Sequence, residues 1–161
     1  SLGQALLCAL CLSWTGDVLL MARDSEVLFK VGVLSFLLGH IALIVTFMIG
    51  GVDPIWCVLA SPFVLFTAQR VYHWLAPHVT GSMRSAVSAY ILVISSMLII
   101  AIGTLGADQP WERLFGASAF FVSDLAVARQ RFITPTIVNR LWGLPLYYVA
   151  QFTLAGSLTL A

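Results

Sequence analysis

"VLFKVGVLSFLLGHIALIVTFMIG", residues 27–50, carries one formal charge, Lys30, in an otherwise apolar run. Its apolar residues follow one another without the alternation that a half-buried strand requires. About 20 such residues cross the hydrocarbon core as an α-helix, the one open segment that satisfies every backbone N–H and C=O internally. The stretch therefore reads as a transmembrane helix, and the fold follows from how many others resemble it.

Further runs lie at 3–22, 54–76, 84–105, 111–128 and 138–160, predicting an all-α polytopic bundle of six spans, a single transmembrane domain over residues 1–161. The breaks "ARDSE", "GGVDP", "APHVTGS", "GADQP" and "RQRFITPT" carry the turn formers and charges. Composition agrees: 60% of residues are hydrophobic and 9% charged, with a mean hydropathy of +0.99, against about 25% charged in soluble domains. No room remains for an independent soluble domain. There is no internal repeat, low-complexity tract or cleavable signal peptide. The chain starts at Ser1, almost directly inside a span and without an initiator Met, so a trimmed or incomplete chain is expected.

Seven of the eight Lys and Arg residues fall in or beside the first, third and fifth breaks: Arg23, Lys30, Arg70, Arg84, Arg129, Arg131 and Arg140. The remaining one, Arg113, lies at the fourth. The positive-inside bias places the odd breaks in the cytoplasm and both chain ends opposite, and the expected location is a bacterial inner membrane. A net charge of +1 argues against nucleic acid as a partner, while basic residues at membrane ends attract anionic lipid. Cys8, Cys11 and Cys57 all lie inside apolar runs, where packing is expected in place of a disulfide or zinc site.

Asp24, Glu26, Asp53, Asp108 and Glu112 sit in breaks or at span ends, where water covers them. Asp17 and Asp124 do not: each lies roughly 6–8 Å inside the cytoplasmic end of its helix at 1.5 Å per residue. A short Asp reaches water poorly from that depth, and its charge is costly in lipid, so both should face the bundle interior. Both helices run inward, which gives the acids one depth and predicts one cavity with the carboxyl groups within about 10 Å. The bland alternatives are a bond from Asp17 to Ser13 and a pairing of Asp124 with a cytoplasmic Arg. Tyr90, Tyr147, Gln151 and His40 lie deeper, by about 9–16 Å from the nearest basic residue, and would roof the acids. Tyr147 and Gln151 share a helix face just after Pro145, which can open the backbone ladder locally.

Five stretches carry a resemblance: "SWTGDVLLM" around Asp17, "FKVGVLSFLLGH" ending at His40, "SAY" at Tyr90, "GASAFFVSDLAVA" around Asp124 and "LYYVAQ" ending at Gln151. In this order they resemble the motifs of the YhhN-like lysoplasmalogenase family. The resemblance implies an eight-helix membrane hydrolase, two helices of which precede Ser1. Its implied reaction cleaves the vinyl ether bond of a lysoplasmalogen to a fatty aldehyde and a glycerophospho-ethanolamine or -choline.

The residues fit that chemistry. Vinyl ether hydrolysis begins with proton delivery to carbon and continues with water attack on an oxocarbenium ion, and two carboxyl groups serve such charge development. Asp17 and Asp124 are the predicted catalytic pair, with the roles of acid and base unassigned, and no cofactor or metal is required. Tyr90, Tyr147 or Gln151 would orient water or the ether oxygen, with His40 also among the substrate-binding candidates. Arg129, Arg131 or Arg140 would hold the phosphate of a lysophospholipid at the membrane rim. Two other classes remain: a proton- or cation-coupled transporter, against which stands the lack of internal repeats, and a non-catalytic structural membrane protein, which needs no acid pair.

Overall fold

Each break ends one helix and begins the next. The computed structural model describes residues 1–21, 25–81 and 83–157. Among these no strand occurs, and six α-helices follow in order: α1 (Leu2–Leu20), α2 (Glu26–Gly50), α3 (Pro54–Leu75), α4 (Met83–Gly106), α5 (Glu112–Ala128) and α6 (Ile137–Gly156). Apart from the end of α6, Gly156 against an expected 160, the boundaries lie within two residues of those expected; residue 22, residues 158–160, and Arg23 and Asp24 fall outside the described residues.

The starts are capped by the side chains that mark the breaks. Ser1 forms a capping box with Gln4, Ser25 accepts from the Leu28 N–H at 3.2 Å, and Asp53 accepts from the Ile55 N–H at 2.8 Å ahead of Pro54. Helix α2 stops at Gly51, whose φ of 110° suits glycine alone. The chain does not leave helical form at Ala128 as the sequence predicts. A π-helical turn, Arg129–Ile133, continues α5 and closes with the Thr134 N–H donating to the Arg129 carbonyl at 2.9 Å. Asn139 then ties the turn to α6, donating to Gln130 Oε1 at 2.9 Å and to the Thr134 carbonyl at 2.8 Å.

Helical contacts close a ring, α1–α2–α4–α5–α6 and back to α1, with α3 lying outside against α4. Small residues let the hairpin partners approach. A Cβ at Gly16 would run into Phe36, one at Gly39 into Ser13, one at Gly116 into Leu154 and one at Gly143 into Ala126. Ser35 bonds across from α2 to the Leu12 carbonyl of α1 at 2.7 Å. Most other hydroxyls bond within their own helix, as Thr46 does to Ala42 and Ser61 to Cys57. That is the economical solution where no water reaches.

Burial runs opposite to that of a soluble protein. Ser13, His40, Thr46, Ser95, Arg113 and Asn139 are buried, whereas Ile55, Leu59, Phe63 and Phe66 along α3 are exposed. An exposed apolar face of this extent requires lipid around it. Helices α1 to α4 are each long and apolar enough to cross a bilayer, and the protein is an integral membrane protein. Helices α5 and α6 do not reach that standard, so among the described residues four of the six expected spans meet it on length and composition. The physical reason is visible in their sequences: α5 has 17 residues and includes Glu112, Arg113 and Asp124, while α6 carries Asn139, Arg140, Pro145 and Gln151. Cys8 and Cys11 also differ from expectation, lying exposed on α1 and not packed inside.

Candidate active site

The face that α5 turns inward is fixed by α6. Ser123 Oγ donates to the Gly143 carbonyl at 3.0 Å, and Ala126 rests where Gly143 lacks a side chain. One residue from Ser123 the helix has turned by about 100°, so Asp124 points away from α6, toward α2 and α4. There Tyr90 donates its hydroxyl proton to Asp124 Oδ2 at 2.7 Å. His40 Nε2 lies 3.3 Å from the same oxygen. That is ion-pair distance, yet the approach does not meet hydrogen-bond geometry, and Nε2 has no other partner. Among the described residues neither bland alternative for the acids occurs: Asp124 takes Tyr90 and His40 as partners, and Ser13 donates to its own helix at Ala9.

The imidazole is held from all sides. Its Nδ1 is 2.6 Å from the Phe36 carbonyl, which can only accept. Tyr90 and Phe120 meet it edge-on at ring separations of 5.5 and 5.0 Å, and the residue is 1% exposed. The sequence placed His40 deeper than Asp124, in the roof over the acids; the structure sets the two side chains against each other.

Asp124 and Tyr90 border a cavity of about 80 Å³ between α2, α3, α4 and α5, reached also by Leu20 of α1. Arg131 is the third polar residue of a lining otherwise made of Leu, Ile, Val, Phe, Met and Ala. It belongs to the π-helical turn, which folds its guanidinium over the Phe29 ring at 4.2 Å, while Phe132 meets Phe29 edge-on at 6.2 Å. These groups and Met83 gather where α2 and α4 begin and α5 ends. The arrangement offers one carboxyl group in an apolar slot and one cation at its rim. A loop reading of "RQRFITPT" gives no sign of the turn that aims Arg131.

The other predicted site residues are distributed less closely. Asp17 is half-buried and does not line the cavity; its side chain makes no hydrogen bond or ion pair among the described residues. Tyr147 is buried behind Phe36 and Phe120, with ring separations of 5.9 and 5.6 Å, and accepts from Gln151 Nε2 at 2.9 Å. Tyr147 and Gln151 thus share a face as expected, but neither borders the cavity; nor does Arg129, which is exposed, or Arg140, which is half-buried. Pro145 is accommodated inside α6 without ending it.

The chain is similar to known proteins. Over 154 residues the chain is 29% identical to the protein named lysoplasmalogenase TMEM86A of Bos taurus, and over 155 residues it is 31% identical to lysoplasmalogenase TMEM86A of Homo sapiens. Each alignment covers 92% of this chain and 62% of the relative, so the chain spans about three fifths of their length. No solved structure matches it. The sequence model of the YhhN family matches residues 1–158, and the chain belongs to that family.

Proposed function

We propose that the protein hydrolyses the vinyl ether bond of a lysoplasmalogen or a closely related lysolipid, releasing a fatty aldehyde and a glycerophospho-alcohol. The observation that carries this reading is Asp124: a carboxyl group, hydrogen-bonded by Tyr90 and approached by His40, at the wall of an otherwise apolar cavity. An amphiphile would lay the vinyl ether end of its chain against this apolar lining. Arg131 at the rim would take the phosphate through charge-assisted hydrogen bonds. Seven residues separate Arg131 from Asp124, roughly 10 Å at helical rise, which suits a glycerophosphate laid between them. The names of the relatives support the substrate class.

In this reading the Asp124 carboxyl gives its proton to the enol ether carbon remote from oxygen. The resulting oxocarbenium ion is attacked by water, and the hemiacetal collapses to aldehyde and alcohol. Asp17, outside the cavity, would contribute through its negative charge, which favours the cationic intermediate. Tyr147, Gln151, Arg129 and Arg140 support the wall and the lipid-facing rim without meeting the reacting atoms. Helices α5 and α6 complete the membrane-embedded bundle, with the cavity mouth on the cytoplasmic side, where the basic breaks gather.

Purified full-length protein incubated with matched alkenyl, alkyl and acyl lysolipids tests the reading by mass spectrometry of products. The alkenyl lipid is expected to give aldehyde and glycerophospho-alcohol, and the alkyl ether nothing. Fatty acid release from the acyl lipid, without aldehyde from the alkenyl one, contradicts it.

A further inference from the structure

We propose that His40 and Asp124 share one mobile proton between Nε2 and Oδ2, and that His40 is the positioning residue that keeps this proton available to Asp124. The inference rests on the ether hydrolase reading for its use, but not for its geometry. A carbonyl oxygen accepts only, so the 2.6 Å contact with Phe36 requires the proton of the ring on Nδ1. In the neutral ring Nε2 then presents a lone pair, and at 3.3 Å it faces a carboxyl oxygen. Two lone pairs opposed in a site where His40 is 1% exposed are repulsive, and Nε2 has no alternative donor. One proton between the two atoms removes the repulsion and fills the unmet acceptor. Catalytic hydrogen bonds commonly tighten on substrate binding, and a resting separation of 3.3 Å is within reach of that change.

The proton has a defined way out. Asp124 borders the cavity and His40 does not, so delivery runs through the carboxyl group alone. Tyr90 from α4 donates to the same oxygen and holds it in place. Arg131 supplies the positive charge at the mouth, and α3 contributes only Val71 and Leu75 to this cavity.

In the step itself, the Asp124 O–H bond breaks and a C–H bond forms at the enol ether carbon, using the π electron pair and leaving a carboxylate beside the oxocarbenium ion. Water oxygen bonds to that cation and releases one proton, which returns to the Asp124–His40 pair. The hemiacetal then transfers its hydroxyl proton to the glyceryl oxygen as the C–O bond breaks. One water is consumed, and the pair regains its proton.

Full-length protein carrying ¹⁵N-histidine in lipid nanodiscs tests the pair without reference to turnover. The sequence has three histidines, and the signal lost in His40→Phe identifies the relevant ring. The expected result is a permanent proton on Nδ1 and an Nε2 signal displaced by a shared proton. An Nε2 that is bare and free of any hydrogen bond, or a ring with bare Nδ1 and a proton fixed on Nε2, overturns the proposal, whatever the activity. On the alkenyl lysolipid, His40→Phe is expected to lose at least ~10-fold in kcat with KM within about twofold. His40→Gln, whose amide oxygen can still accept from Asp124, should recover part of that loss. Wild-type kcat in His40→Phe overturns the proposal, and should the Phe variant fail to fold, the signal lost in His40→Gln identifies the ring and the resting spectrum of the wild type still decides it. Absence of ether hydrolysis with the Nδ1–H ring intact removes the substrate reading and leaves the shared proton standing.

Discussion

Asp124 lies one turn before Ala128 at the end of α5, and Asp17 lies one turn before Leu20 at the end of α1. Along the chain axis they are counterparts. Around it they are not: Asp124 has a hydroxyl donor at 2.7 Å, an imidazole at 3.3 Å and a cavity before it, whereas Asp17 is half-buried and outside that cavity. Depth in a helix is set by residue count, but direction changes by about 100° per residue and is decided by neighbours. On α5 the neighbour is α6, locked through Ser123 and Gly143. On α1 it is α2, brought close along Gly16 and Gly39.

The largest effect is expected where the two acids are exchanged for near-isosteric amides. Asp124→Asn should keep the folded bundle and lose activity by at least ~10²-fold, the lower range for a positioned acid–base group, or about 2.7 kcal/mol of barrier. Asp17→Asn should lose about tenfold or less, since its charge acts from a distance. Equal losses, measured with melting temperature on the same samples, would break the distinction and return the two carboxyl groups to a symmetrical pair.

Arg131→Ala is expected to raise KM about tenfold with kcat little changed, the size of one exposed charge-assisted contact to phosphate. The same change at Arg129, which does not border the cavity, should move KM by no more than about twofold. A reversed order would shift the headgroup site away from the π-helical turn. Tyr90→Phe should cost about fivefold in kcat, the value of one ordinary hydrogen bond near 1 kcal/mol. Tyr147→Phe, which removes a hydroxyl outside the cavity, should cost less. Steady-state kinetics of the two variants side by side separates the cavity wall from the packing behind it.

Most of the fold was legible because continuous apolar runs and polar breaks are one-dimensional signals. Residues 27–50 read as a helix, and Ser25 and Gly51 mark its limits in the structure. Spans were harder to count. The same polar residues that shape the site, Asp124 on α5 and Asn139, Arg140 and Gln151 on α6, lower the apolarity by which a span is recognised. Asp124, Tyr90 and Arg131 were legible as candidates from their types and depths. The contact of His40 with Asp124 was not, since it depends on which way two helices are turned and on the Phe36 carbonyl, which leaves no mark in the side-chain pattern. The buried Arg113 is a similar case. It looked like a residue for the water interface, yet it packs against Gly50, where no side chain stands in its way.

Hydrolysis of an alkenyl lysolipid in D₂O by the full-length protein tests the central claim that Asp124 delivers a proton to carbon. The account predicts that the fatty aldehyde, analysed at short times, carries one deuterium on the carbon next to the carbonyl, and that Asp124→Asn forms it at least ~10²-fold more slowly. Aldehyde without that deuterium, or formed at the wild-type rate by Asp124→Asn, would contradict it.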